Sequence, residues 1–211
     1  MTLQQLAESR KGKTSPLKGR RSPIELLTDQ EVLALIKACS ARCPTGCRNR
    51  AILALMFRGC LRVSEVTALA VRDLDLIQGT LTVRHGKGDR RRMIGLDPQT
   101  VALVQVWLGA RSKLGVGNQL PLFVTLKGRQ VQNVYLRNLC RRLARKCGIS
   151  KRTHPHLFRH CGAVAMLKEG LNIPEVSKAL GHSSISTTAT YLNHVCPLEL
   201  VEKMNQRSWN L

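Results

Sequence analysis

Between Asp73 and Leu96 the chain reads DLDLIQGTLTVRHGKGDRRRMIGL, and in this stretch the hydrophobic period changes from helical to strand-like. LIQGTLTVRH is expected to form two short strands around a Gln-Gly turn. RRRMIGL is expected to form a third, reached through GKGD. Lys87 then sits on the tightest turn of a small sheet, between two glycines. The segments on either side carry a helical period. The expected fold class is therefore α+β, mainly α, with one small antiparallel β-sheet on a helical body.

Upstream, Thr28-Asp-Gln-Glu31 is a capping box ahead of Val32, Leu33, Leu35 and Ile36. Asn49 to Phe57 is apolar at nearly every position, the pattern of a helix buried all round. Pro44 and Gly46 are expected to break any helix before it. Ser64 reads as the N-cap of a short helix, EVTALAV. Downstream, helices are expected from Pro98 and from about Val131. In the second of these Leu136, Leu139, Cys140, Leu143 and Cys147 make an apolar stripe, and Arg137, Arg141 and Arg145 recur at i, i+4 and i+8. One face suits the core; the other suits phosphate or solvent. The last third reads as helix on helix: His156 to Glu169, Pro174 to Leu180, Ser186 to about His194, and a tail helix from Pro197. Gly170 and Gly181 stand where a glycine cap belongs.

Composition narrows the function. Of 211 residues 43% are hydrophobic and only 3% aromatic, so the core must be Leu, Val, Ile and Ala, which favours helices over a β-sandwich. Thirty-four Lys and Arg against 13 Asp and Glu leave a net charge of +21. Such a chain repels itself unless a polyanion is near, and nucleic acid leads an anionic membrane surface or a ribosomal role as that partner. No apolar leader and no long apolar run appear, which argues against a signal peptide or a membrane span. The expected location is cytoplasmic, at the nucleoid, with no membrane partner. Cys60, Cys140 and Cys161 fall inside apolar helical patterns and read as reduced thiols acting as small hydrophobes. Cys39, Cys43 and Cys47 match no common zinc spacing. Residues 1–22 read as a flexible basic arm, with Arg10, Lys11, Lys13, Lys18, Arg20 and Arg21 placed to lie along phosphates. The folded body is expected over 23–195 and the tail helix over 196–211.

Cutting and rejoining a DNA strand without a metal sets particular requirements. Two fixed guanidiniums must bracket the phosphate oxygens. A nucleophile must conserve the bond energy in a covalent intermediate. Proton donors and acceptors must reach the leaving and attacking oxygens. Arg62 lies in CLRVSEV between two helices, and His156 and Arg159 lie in HPHLFRH, three residues apart on one helix face. His182 follows a glycine at a helix end, Tyr191 lies beyond Ser-Thr-Thr on the next helix, and Lys87 crowns the hairpin. His154, His156 and His160 bring no carboxylate or thiolate, which argues against a metal centre.

The stretches CLRVSEV, GKGDRRRMIGL, HPHLFRH and LGHSSISTTATY resemble, in that order, the signature boxes of tyrosine recombinases, the phage-integrase class of site-specific recombinases. The resemblance covers roughly Leu26 to Val195. It implies a tyrosine-recombinase catalytic domain and DNA strand breakage and rejoining, with no metal, no ATP and no other cofactor. By resemblance, Arg62 and Arg159 clamp the scissile phosphate and Lys87 protonates the leaving 5′-oxygen. His156 accepts the tyrosine proton, and His182 hydrogen-bonds the phosphate. Tyr191 is the nucleophile that becomes a 3′-phosphotyrosine, with Glu65 bracing the site. Implied partners are double-stranded DNA with specific recombination sites, further copies of the chain in a tetramer, and accessory DNA-bending proteins.

Relatives also lay the helix near Val131 in the DNA major groove, which makes Gln130, Gln132, Asn133, Arg137 and Arg141 candidate DNA contacts. Most family members carry a helical domain ahead of the catalytic one, whereas this chain is similar in size to fimbrial-type DNA invertases. Leu198, Val201 and Met204 line one side of the tail helix, which packs either on its own domain or, as in relatives, on a neighbour. Rival readings are a type IB topoisomerase-like or hairpin-resolving enzyme of the same chemistry, and a catalytically silent DNA-binding relative. The complete set of candidate residues argues against the last.

Overall fold

The computed structural model describes residues 25–84 and 91–182, with Ser184, Thr188, Asn205 and Gln206. The basic arm, the turn bearing Lys87, Tyr191 and nearly all of the expected tail helix lie outside them. The described residues form a mainly helical body with a three-stranded antiparallel sheet, in the fold class read from the sequence.

Helix α1 (Asp29–Lys37) begins at the expected capping box: the Thr28 amide donates to Glu31 Oε2 at 2.7 Å, and the Glu31 amide to Thr28 Oγ1 at 3.2 Å. Helix α2 (Pro44–Phe57) starts at Pro44 rather than Asn49. Pro44 and Gly46 do not break it. Proline at the first helical position gives up an amide that no helix uses there, and the Cys43 sulfur accepts the Gly46 amide as a cap. From Ala51 to Met56 every residue of α2 is buried, as its unbroken apolar run requires. Each of its buried Leu and Ile side chains contributes about 1.5–3 kcal/mol.

Helix α3 (Val63–Ala68) is capped by Arg62, not Ser64. The capping oxygen comes from Glu65, which reaches back to the Arg62 amide at 2.8 Å. A 3₁₀ turn (Val71–Asp73) then leads into β1 (Leu74–Asp75), β2 (Thr80–Val83) and β3 (Arg92–Gly95), which pair in the order β1-β2-β3. Leu81 pairs with both Leu74 and Ile94.

Helix α4 (Pro98–Ser112) packs on α2, and its Trp107 donates to the Leu122 carbonyl at 2.9 Å. Helix α5 (Asn133–Lys146) buries Leu136, Leu139, Cys140 and Leu143 and exposes Arg137, Arg141 and Arg145, so its two faces separate as expected. Helices α6 (Pro155–Lys168) and α7 (Ile173–Leu180) close the body, and Gly170 and Gly181 take the positive φ values, 98° and 64°, that their cap positions need.

One close approach decides where α6 sits. A Cβ on Gly162 would lie 1.9 Å from the Phe57 carbonyl oxygen and 2.6 Å from Cys60 Sγ. Only glycine lets α6 run this near the end of α2. Cys60 turns the chain there with φ 49°, fully buried, and its carbonyl faces α6.

Candidate active site

The turn after α2 places Arg62 at the mouth of α3, and the Gly162 contact places Arg159, one turn earlier on α6, beneath it. Arg159 is 1% exposed, an extreme for a charge that only its partners make tolerable. Its guanidinium donates to the Cys60 carbonyl and, at 2.6 Å, to the Leu180 carbonyl at the end of α7. Its Nε finds no hydrogen-bond partner among the described residues. Burial, and then the neighbouring Arg62, lower its pKa to about 10, still well above neutrality. A buried arginine with a donor unanswered by the described residues can answer an anion that reaches it.

Glu65 organises the cations. Burial alone would raise its carboxyl, but the Arg92 guanidinium and the Arg62 amide and side chain hold it at about 2. Arg62 Nη1 lies 2.7 Å from Oε1; Arg92 Nη1 and Nη2 reach Oε1 and Oε2 at 2.9 and 2.7 Å; Arg159 Nη1 stands off at 3.9 Å from Oε2. Three guanidiniums thus face one carboxylate, two of them hydrogen-bonded to it, which leaves a positive excess around it.

Two imidazoles complete the cluster. His182 follows the left-handed Gly181, and its Nδ1 lies 2.8 Å from Thr188 Oγ1. Burial, followed by Arg159, Arg62, Arg92 and His156, lowers its pKa to about 4. The direction of that hydrogen bond follows the ring's tautomer: in the neutral form that accepts the Thr188 hydroxyl at Nδ1, the ring proton sits on Nε2 and can be donated to a phosphate oxygen. His156 projects from the first turn of α6, edge-on to His160 with ring centroids 4.2 Å apart. Its pKa is lowered by desolvation and then by Arg159, His154 and Arg62. Both rings therefore feel Arg62 and Arg159. A neutral imidazole of this kind can accept a proton.

Arg62, Glu65, His156, Arg159 and His182 are thus brought into one neighbourhood, while Lys87 and Tyr191 lie outside the described residues. Sequence reading missed Arg92. Its signal was the phase of β3: Arg92 shares the inward side with buried Ile94, whereas Met93 between them is 67% exposed.

The expected DNA contacts divide. Arg137 and Arg141 line an open groove of about 960 Å³ between α5 and the 149–154 segment, with Arg142, Arg145, Lys151 and Arg152. Gln130 and Asn133 are partly engaged by the fold: Gln130 Nε2 donates to the Thr67 carbonyl at 2.7 Å, and Asn133 Oδ1 accepts from Thr67 Oγ1 at 3.0 Å. Gln132 is exposed at the start of α5. The six arm residues from Arg10 to Arg21 lie outside the described residues.

The model of the phage integrase family matches residues 25–196. The chain is 32% identical over 193 residues to a tyrosine recombinase XerC of Thermodesulfovibrio yellowstonii, covering 89% of this chain and 64% of that protein. It is 34% identical over 188 residues to a XerC of Pelobacter propionicus, covering 89% and 61%. Among solved structures it is similar to XerA recombinase, with a TM-score of 0.77, 28% identity, and 92% and 69% of the two chains covered. It is also similar to XerH bound to palindromic difH in a post-cleavage complex, with a TM-score of 0.69, 27% identity, and 82% and 50% covered. The chain spans a little under two thirds of the curated relatives named, at 64% and 61% of their lengths.

Proposed function

The chain belongs to the phage integrase family, and from that premise we propose that it is a site-specific DNA recombinase acting through Tyr191. The observation that carries the reading is Arg62 held on Glu65 beside Arg159, which rests on the Cys60 and Leu180 carbonyls with its buried Nε unanswered among the described residues, and two imidazoles beside them. A phosphodiester answers that arrangement: its non-bridging oxygens meet the guanidiniums and the His182 Nε2–H, and charge added in the pentavalent transition state strengthens every contact.

The Tyr191 phenol oxygen attacks phosphorus, passing its proton to His156. The P–O5′ bond breaks, Lys87 protonates the leaving 5′-oxygen, and a 3′-phosphotyrosine remains. A 5′-hydroxyl from the partner strand reverses the step, so no metal or ATP is required. The other tyrosine in the sequence, Tyr135, is held away from such work. Its hydroxyl is hydrogen-bonded with Asn49, at 3.0 Å from Nδ2, and the Arg48 guanidinium lies 4.9 Å from its ring centroid.

DNA lies along the α5 groove, with the basic arm following phosphates. Copies of the chain assemble on it, four in synapsis, with DNA-bending proteins as accessories. The work is done at the nucleoid. The test is a nicked suicide duplex: Tyr191→Phe should bind DNA as the parent does and trap no covalent adduct. An adduct in that variant would move the nucleophile elsewhere and sink the reading.

A further inference from the structure

Arg92 is 8% exposed at its side chain and points inward from β3, immediately after the segment that bears Lys87. Among the described residues it makes three hydrogen bonds: two to the Glu65 carboxylate and one, from Nε at 2.9 Å, to the Ala179 carbonyl in the last turn of α7. The following turn is fitted against it. A Cβ on Gly181 would lie 3.1 Å from Arg92 Cδ, and the glycine φ of 64° excludes other residues at little cost.

Glu65, with a side chain 2% exposed, cannot remain charged without close cations. Arg62 gives it one side-chain bond and one amide bond, and Arg92 gives it two. Arg159 is the next guanidinium, already 3.9 Å from Oε2. Were Arg92 absent, the carboxylate would draw Arg159 across that gap and away from the carbonyls of Cys60 and Leu180.

We propose that Arg92 is a positioning residue that occupies Glu65, so that Arg159 stays available to phosphate, and that ties the Glu65 cluster to the turn carrying His182. The assignment rests on the recombinase reading of the site. Arg92 touches no DNA; it acts by keeping a carboxylate from competing with the scissile phosphate.

The test uses the full chain and a nicked suicide duplex whose binding site is recovered by selection from a randomised duplex pool. Single-turnover adduct formation by the parent protein comes first, and its absence would count against the recombinase reading rather than against Arg92. Given that activity, R92Q should bind the duplex with parental affinity and cleave about 100-fold more slowly, the scale of a misplaced clamp. R92K should recover part of the rate, since an ammonium keeps the charge but not the fork.

The distinguishing measurement is the double variant R92Q/E65Q. It should cleave no more slowly than R92Q, because without the carboxylate nothing captures Arg159. Parental cleavage by R92Q, an equal fall in affinity and rate, or a double variant slowed by the full product of the single effects would each overturn the proposal. If R92Q does not fold, R92K carries the comparison: parental cleavage by folded R92K overturns it, and slowed cleavage at parental affinity supports it.

Discussion

At the scale of single residues, the site is poised by repulsion. His182 is held at about 4 by burial and by Arg159, Arg62, Arg92 and His156, against about 6.5 for an ordinary imidazole. A phosphate between the guanidiniums offsets part of that charge and raises the bound-state pKa. His156, lowered by Arg159 and Arg62 among its causes, shifts in the same sense. A group whose pKa rises on binding takes up protons, so affinity for DNA should strengthen as the pH falls from neutral toward about 5. Calorimetry of Tyr191→Phe with duplex, in two buffers of different ionisation enthalpy, should register proton uptake; proton release would contradict the placement of phosphate beside these rings.

At the scale of elements, helix ends show how far the sequence could be read. Thr28 and Glu31 signalled α1 correctly because both halves of that cap lie within four residues. The start of α3 differs from the sequence expectation because a short polar residue such as Ser64 is the usual cap, whereas here a glutamate reaches back to an arginine amide. Pro44 looked like a breaker and is an opener. The strand phase of Arg92 was legible, but its pairing with Glu65 on another element was not, since periodicity carries no information about distant partners. Gly162 is similar: nothing local says that a carbonyl from α2 will stand 1.9 Å from its missing Cβ. Gly162→Ala should push α6 off α2, destabilise the fold by about 1–3 kcal/mol in urea melts, and slow cleavage by displacing Arg159. An unshifted melt with parental cleavage would mean that this close approach does not set the clamp.

For the whole molecule, the excess of 34 basic over 13 acidic residues finds one outlet in the α5 groove, where Arg137 and Arg141 face outward while Leu136, Leu139 and Leu143 hold the core. Affinity for duplex DNA should fall steeply with added salt as counterions are released. Replacing Arg137 and Arg141 together by glutamine should flatten the logarithmic salt slope by about one for each phosphate that is no longer neutralised. Equal slopes for parent and variant would place the DNA elsewhere. The charge total and the basic face of α5 were both legible in the sequence; the 149–154 segment that closes the groove against that face was not, because the helical period ends with α5 and says nothing of where the chain runs next.

The sulfur atoms of the fold have a practical corollary. Burial pushes the thiols of Cys39, Cys60, Cys140 and Cys161 up to about 11 or 12, out of reach of gentle reagents. Cys43, exposed at the head of α2, is instead drawn down by its hydrogen bonds with Ser40 and the Gly46 amide. A maleimide dye therefore finds Cys43 ahead of those buried sulfurs, about 20 Å along α2 from the turn that leads to Arg62. The same cap that starts a helix gives the protein a handle by which single molecules can be labelled.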